Sequence, residues 1–177
     1  MSKAMKILTA AALLCLAAAL CACAPEEPSP SDAAPAVTAE PEWLNQALNV
    51  LLGGKENAPA YKHFCWATIP TETGALNADG TAFSTLLPFV YKELPVYESD
   101  PFLDLEVKNG CRVEEIHVYD KDLNELEAPA EIGGLLELVR SAESELIIDI
   151  VVVEDFGGGE QNADGYAFRI IPPEDGE

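Results

Sequence analysis

The chain has 177 residues, of which 31 are acidic and 10 basic, for a formal net charge of −21 at pH 7. That balance excludes nucleic acid as a partner, because such affinity comes from Lys and Arg on phosphates. It also disfavours adsorption to anionic lipid or wall polymer and leaves basic partners and loose cation binding open.

The chain opens with Lys3 and Lys6 and then runs apolar from Ile7 to Leu20, broken only by Thr9. That run is too short for a comfortable membrane span and suits the apolar core of an export signal. The following Leu20-Cys21-Ala22-Cys23 resembles the lipobox of bacterial lipoproteins. The resemblance implies a signal peptide over residues 1–22, cleavage before Cys23, and a diacylglycerol on the Cys23 thiol. Cys21 does not fit as the acceptor, because bulky Leu20 would then occupy the small-residue position. A diacyl anchor holds stably where a single chain does not. The expected location is the extracytoplasmic face of the cell membrane, with the membrane as a partner through the lipid. Loss of Lys3 and Lys6 with the leader takes the net charge from −21 to −23.

Ala24 to Pro41, "APEEPSPSDAAPAVTAEP", holds five prolines in eighteen residues and no aromatic. Too little apolar area is available there to offset ordering entropy. Residues 23–41 therefore read as a lipidated Cys followed by a disordered tether, able to reach about 55 Å at about 3.1 Å per residue. Residues 42–177 are then one domain by length.

Within the domain, "PEWLNQALNVLLGG" predicts a short N-terminal helix, with Pro41 in the first turn, a stripe of Trp43, Leu44, Ala47, Leu48, Leu51 and Leu52, and a stop at Gly53. Period two follows. Strands are predicted over 60–69, 82–90, 102–108, 112–120, 144–155 and 165–172, with 125–128 and 135–139 short and ambiguous, the latter also readable as a helical turn. Turns are expected at Asn109-Gly110 and at the matching pieces "NADGTAF" (77–83) and "NADGYAF" (162–168), each read as a bend that opens a strand. Their flanks differ, which argues against an internal repeat. About seven short strands without strand–helix alternation predict a mainly β fold, an antiparallel sandwich or barrel.

"FCW" (64–66), "LLP" (86–88), "EIHVYDKDLNEL" (115–126) and "GYAFRI" (165–170) resemble landmarks of uncharacterised domains in Gram-positive surface lipoproteins. The resemblance spans roughly Tyr61 to Ile171. It implies an immunoglobulin-like β-sandwich and carries no site residues.

Little in the chain reads as chemistry. Asp120, Asp122, Asn124 and Glu131 sit at positions 1, 3, 5 and 12 of a calcium loop. Glu125, however, occupies the place of the required glycine, and a strand leads in where a helix should. "DLN" is therefore read as a hairpin bend, leaving weak chelation by clustered carboxylates open. His63 and Cys65 share a strand face, but Cys111 and His117, six residues apart, are about 20 Å from each other on a straight strand, so the four cannot surround one zinc. No metal and no cofactor is expected, and the plain reading is a buried Cys65 with His63 at a rim. Cys65 and Cys111 are the pair left for a disulfide, which spacing alone leaves open. No nucleophile motif occurs, and "FGGGEQ" (156–161) is a flexible loop without the lysine of a phosphate loop.

The expected function is a non-catalytic binding or structural module at the outer surface, for an unknown protein or wall-associated partner, with the 70–80 and 156–161 tips as contact points. The alternatives are a ligand sensor or solute-capture accessory and, behind it, a hydrolase with an unrecognised carboxylate pair. One buried charge is predicted. Asp149 lies within "ELIIDIVVVED", on a strand apolar on both faces. A closing hairpin that pairs Glu154 with Tyr166 brings Arg169 within diagonal reach of it.

Overall fold

Why Asp149 can be buried follows from the order of the strands. The structure, a computed structural model, describes residues 46–53 and 56–173. Among these residues there are ten strands: β1 (Leu48–Leu52), β2 (Glu56–Ala58), β3 (Tyr61–Thr71), β4 (Gly74–Asp79), β5 (Val96–Glu98), β6 (Asp104–Val107), β7 (Cys111–Asp120), β8 (Glu125–Leu126), β9 (Leu146–Gly157) and β10 (Glu160–Ile171). Two helices, α1 (Phe83–Val90) and α2 (Ile132–Arg140), interrupt them. The fold is mainly β, in two sheets whose main paths are antiparallel. The larger runs β4-β3-β10-β9-β7-β8, with β5 parallel to β10, and curls into a half-barrel. The smaller is β2-β1-β6.

β9 is central, between β10 and β7. Its alternation sends Leu146, Ile148, Ile150 and Val152 to one side and Ile147, Asp149, Val151 and Val153 to the other. The first side packs with Tyr166, Phe168 and Ile170 of β10 against the small sheet and α2. Tyr166 also binds across this core: its hydroxyl accepts the Ala47 backbone N–H at 3.1 Å. The second side divides into an apolar cluster under α1 (Phe83, Leu87, Leu94, Tyr119, Ile147, Ala167) and a smaller one around Val151, Val153 and Ala163. The polar site lies between these two.

The described part of the expected N-terminal helix is instead strand β1. Leu48 and Val50 are both fully buried, in a period-two pattern set by pairing with β6 (Leu48↔Val107, Val50↔Leu105). Leucines at helical spacing yielded to an available sheet edge; Pro41 to Asn45 lie outside the described residues. The expected strand over 82–90 is helix α1, whose inward residues Phe83, Leu86, Leu87 and Val90 follow i, i+3, i+4, i+7. The ambiguous 135–139 segment is α2.

The β9–β10 hairpin also differs from expectation. Gly158 and Gly159, with φ 66° and 90°, form a tight connection in place of a flexible loop, and Glu154 pairs with Asn162 where Tyr166 was expected. Tyr166 faces Ile150 and Arg169 faces Ile147. Arg169 thus still lies diagonal to Asp149 on the same face, but the expected Asp149–Arg169 pair is not formed, because His63 takes Asp149 and Glu145 takes Arg169. Arg169 Nε donates to Glu145 Oε1 at 2.6 Å, and its guanidinium lies 4.1 Å from the Tyr91 ring centre. The Tyr91 hydroxyl donates to the same carboxylate at 2.7 Å. Burial would raise the Glu145 pKa, but the hydrogen bonds from Arg169 and Tyr91 and the Arg169 charge outweigh it and lower it. A depressed carboxylate contributes stability that is present above its ordinary value of 4.5 and lost as pH falls through the folded value. Arg169→Met should cost about 1–3 kcal/mol in urea unfolding at pH 7, and less at pH 3. An equal cost at both pH values would show that the charge contributes nothing.

Candidate functional site

Strand β3 carries the site because it is irregular at one residue. Against β10, Ala163 pairs with Trp66 and Asp164 with Phe64, so Cys65 is the extra residue of a β-bulge. Cys65 and Trp66 both join the small cluster around Val151 and Val153, and Cys65 comes beside His63. A second bulge, at Glu114, shifts β7 so that Glu115 pairs with Val151 and His117 with Asp149. The two bulges aim residues of β3 and β7 at one cleft across the intervening strands.

The matching tetrapeptides Asn77–Gly80 and Asn162–Gly165 lie on either side of β3. Neither is a simple bend that opens a strand. The first closes β4, and Gly80 then passes so near β3 that an added Cβ would lie 2.1 Å from the Phe64 carbonyl oxygen. Its N–H donates to the Cys65 carbonyl at 2.6 Å. The second lies wholly within β10, where Gly165 lets the His63 ring cross the strand: a Cβ there would lie 2.0 Å from His63 Nε2. Missing side chains are what the two sites share, one admitting backbone and the other an imidazole.

Passing over Gly165, His63 Nε2 meets Asp149 Oδ1 at 2.9 Å, with the two side chains only 5% and 1% exposed. Phe83 of α1 covers the ring, stacked at 5.0 Å between centres and 21° between planes. His63 is thus buried and Cys65 half-exposed, the reverse of the sequence expectation. Asp149 accepts, so Nε2 carries the proton, and in the neutral ring Nδ1 presents a lone pair. That nitrogen faces Cys65 Sγ at 3.8 Å. Burial, followed by the fields of Asp149, Asp164 and Glu115, pushes the Cys65 thiol up to about 12.

The opposite wall is His117, whose Nδ1 and Nε2 each lie 3.1 Å from a carboxylate, Glu125 on β8 and Glu115 on β7. A neutral imidazole has one N–H, so holding both carboxylates takes the imidazolium. Burial lowers the His117 pKa, but the hydrogen bonds with Glu125 and Glu115 outweigh it and raise it. The cleft between the walls has a volume of about 330 Å³ and is also lined by Trp66, Tyr119 and the start of α1.

The remaining sequence candidates lie elsewhere. Asp120 closes the bend between β7 and β8 as expected, accepting the Asp122 and Asn124 backbone N–H groups at 2.8 and 2.9 Å, with Leu123 at φ 67°. Hydrogen bonds from the Asn124 side chain and backbone lower its pKa. Cys65 and Cys111 are free thiols. Cys23, the expected lipidation site, lies outside the described residues. Among the described residues no three His, Cys, Asp or Glu side chains are arranged to hold a metal ion, and no helix is long and apolar enough to cross a membrane. No protein-family model matches the chain, and no curated protein or solved structure is significantly similar to it.

Sequence reasoning placed His63 and Cys65 on one face but missed their partner Asp149 and the opposing Glu115–His117–Glu125 wall. The usable signal was a charge inside an apolar strand and a glycine inside another, each needing a compensating side chain.

Proposed function

We propose that the chain is a lipid-anchored extracytoplasmic protein whose β-domain is a non-catalytic binding module, with the His63–His117 cleft as its binding site. The observation that carries this reading is how the cleft is built. Its polar walls project from hydrogen-bonded strands, its charges are paired internally, and its floor is apolar, as in a preformed small-ligand site. The export-type leader, the lipobox-like Cys23 and the Pro-rich tether support the location. An immunoglobulin-like sandwich belongs to the same proposal. Long antiparallel hairpins facing a second, smaller sheet support it, while the curl of the larger sheet and parallel β5 depart from it.

Two measurements test the reading. Cells fed an alkyne fatty acid should label the wild-type chain and not Cys23→Ser; persistent label on the variant removes the anchor. A fragment screen by NMR should move amides of Cys65, Gly80–Ser84 and Glu115–Tyr119; shifts scattered over the domain remove the cleft.

One observation favours a second reading, hydrolysis by a thiol: Cys65, His63 and Asp149 stand in line, as a nucleophile, base and orienting acid would. The surrounding carboxylates oppose it, since the thiolate is the nucleophile and they disfavour it. Iodoacetamide should therefore alkylate Cys65 slowly at pH 7, with a rate still rising above pH 10. A rate that levels off near pH 7 would restore the hydrolase.

A further inference from the structure

We propose that Cys65 and His63 form a binding site for a soft monovalent metal ion of the copper(I) class, held by Cys65 Sγ and His63 Nδ1, a proposal that rests on reading the cleft as a binding site. The geometry is specific on both sides of the imidazole. A histidine that ligates a metal usually gives its other ring N–H to a carboxylate, which fixes the tautomer and aims the lone pair. His63 has that arrangement, with Nε2 on Asp149 at 2.9 Å and Nδ1 towards Cys65. The ring is clamped between Phe83 and Gly165, so its aim is fixed by the fold.

The distance suits one shared ion. Taking zinc's bonds of about 2.0 Å to nitrogen and about 2.3 Å to sulfur as a guide to first-row metals, the Sγ–Nδ1 separation of 3.8 Å subtends about 120° at the metal. That is a trigonal angle, with the third position left to solvent or a ligand in the cleft. Two donors are too few for zinc, which wants four, and no set of three is arranged for a metal among the described residues. Thiolate with imidazole selects soft ions. On binding, the ion replaces the thiol proton: the S–H bond breaks, the S–metal bond forms, and one proton is released to solvent.

Electrostatics separates this role from catalysis. Asp149, Asp164 and Glu115 oppose a bare thiolate, yet the same field attracts a cation, and a bound cation offsets the thiolate charge. The Gly165 N–H favours an anionic sulfur and so the metallated form as well. Cys111 has no such setting: it faces Glu154 across the β7–β9 pairing, with Lys108 near by.

The test is anaerobic titration of the purified full chain with Cu(I) against a chromophoric chelator. Wild type and Cys111→Ser should each hold one ion that Cys65→Ser lacks, a loss of at least about 100-fold in affinity. Asp149→Asn, checked for folding by circular dichroism, should weaken it by about 10- to 100-fold. X-ray absorption should show one sulfur on this ion. Cys65→Ser binding as tightly as wild type, Cys111→Ser losing the ion, or Zn(II) binding as tightly through Cys65 would each overturn the proposal. The fragment screen reads the cleft without metal, so failure of the ion alone leaves the binding-module reading standing, and scattered fragments with a retained ion do the reverse.

Discussion

Gly165→Ala should destabilise the domain by about 3 kcal/mol, the upper end of overpacking costs. The new methyl would lie 2.0 Å from Nε2, 2.3 Å from Cε1 and 2.7 Å from Cδ2 of His63. The ring has nowhere to go: Phe83 covers its other face, and Asp149 holds its edge. Backbone conformation plays no part, since Gly165 sits in regular β10 pairing and shows no positive φ. The sign of the effect should therefore depend on the ring. Once His63→Ala and Asp149→Val have removed the pair together, alanine at 165 should stabilise by up to about 1 kcal/mol, as expected for Gly to Ala within a strand. Urea unfolding of the four proteins measures this. A cost of similar size in both backgrounds would mean that the collision is not with His63.

Removing either half of the buried pair should be the other large effect. Asp149→Val leaves His63 sealed in without an acceptor, and His63→Ala leaves a carboxylate sealed in without a donor. Each should cost about 3–5 kcal/mol. The double variant should recover much of that, because an apolar replacement of both partners removes the desolvation penalty along with the bond. A coupling of about 2 kcal/mol or more is expected from the cycle; additive losses would show that the two residues act apart. The same cycle on Asp149 and Arg169 should be additive, since Arg169 is held by Glu145.

These expectations show which parts of the molecule were legible in its sequence. Strand β9 was, because a residue string apolar on both faces with one charge can only be a central strand. Strands β6 and β7 were, because their alternation is regular up to the bulge. Segment 83–90 was not: its apolar residues also satisfy period two locally, and a preceding Asp-Gly suggested a strand where the chain turns into a helix. Leu48–Leu52 failed in the opposite direction, since a five-residue strand inside a leucine-rich stretch is decided by the edge it finds. Within the site, the His63–Cys65 half follows from spacing along one strand. The Asp149 half depends on β10 lying between β3 and β9, and strand order is not written in local pattern. The register error at Arg169 came from placing the turn too loosely, when consecutive glycines were already able to close it in two residues.

The bridging of β3 to β9 across β10 also has a kinetic side. His63 and Asp149 are 86 residues apart in sequence, and β3 finds its main partner in β10, the last of the described strands. Contacts of such high sequence separation give folding in the slower range of milliseconds to seconds, because loop closure comes before any reward from pairing. The β9–β10 hairpin is local and is a natural nucleus; the β3–β4 hairpin is local too, but its docking onto the sheet waits for β10. A ribosome-bound or translocating chain of this topology therefore cannot complete its larger sheet until β9 and β10 are free. That suits the proposed export as an extended polypeptide, and it makes the cleft one of the last features to close.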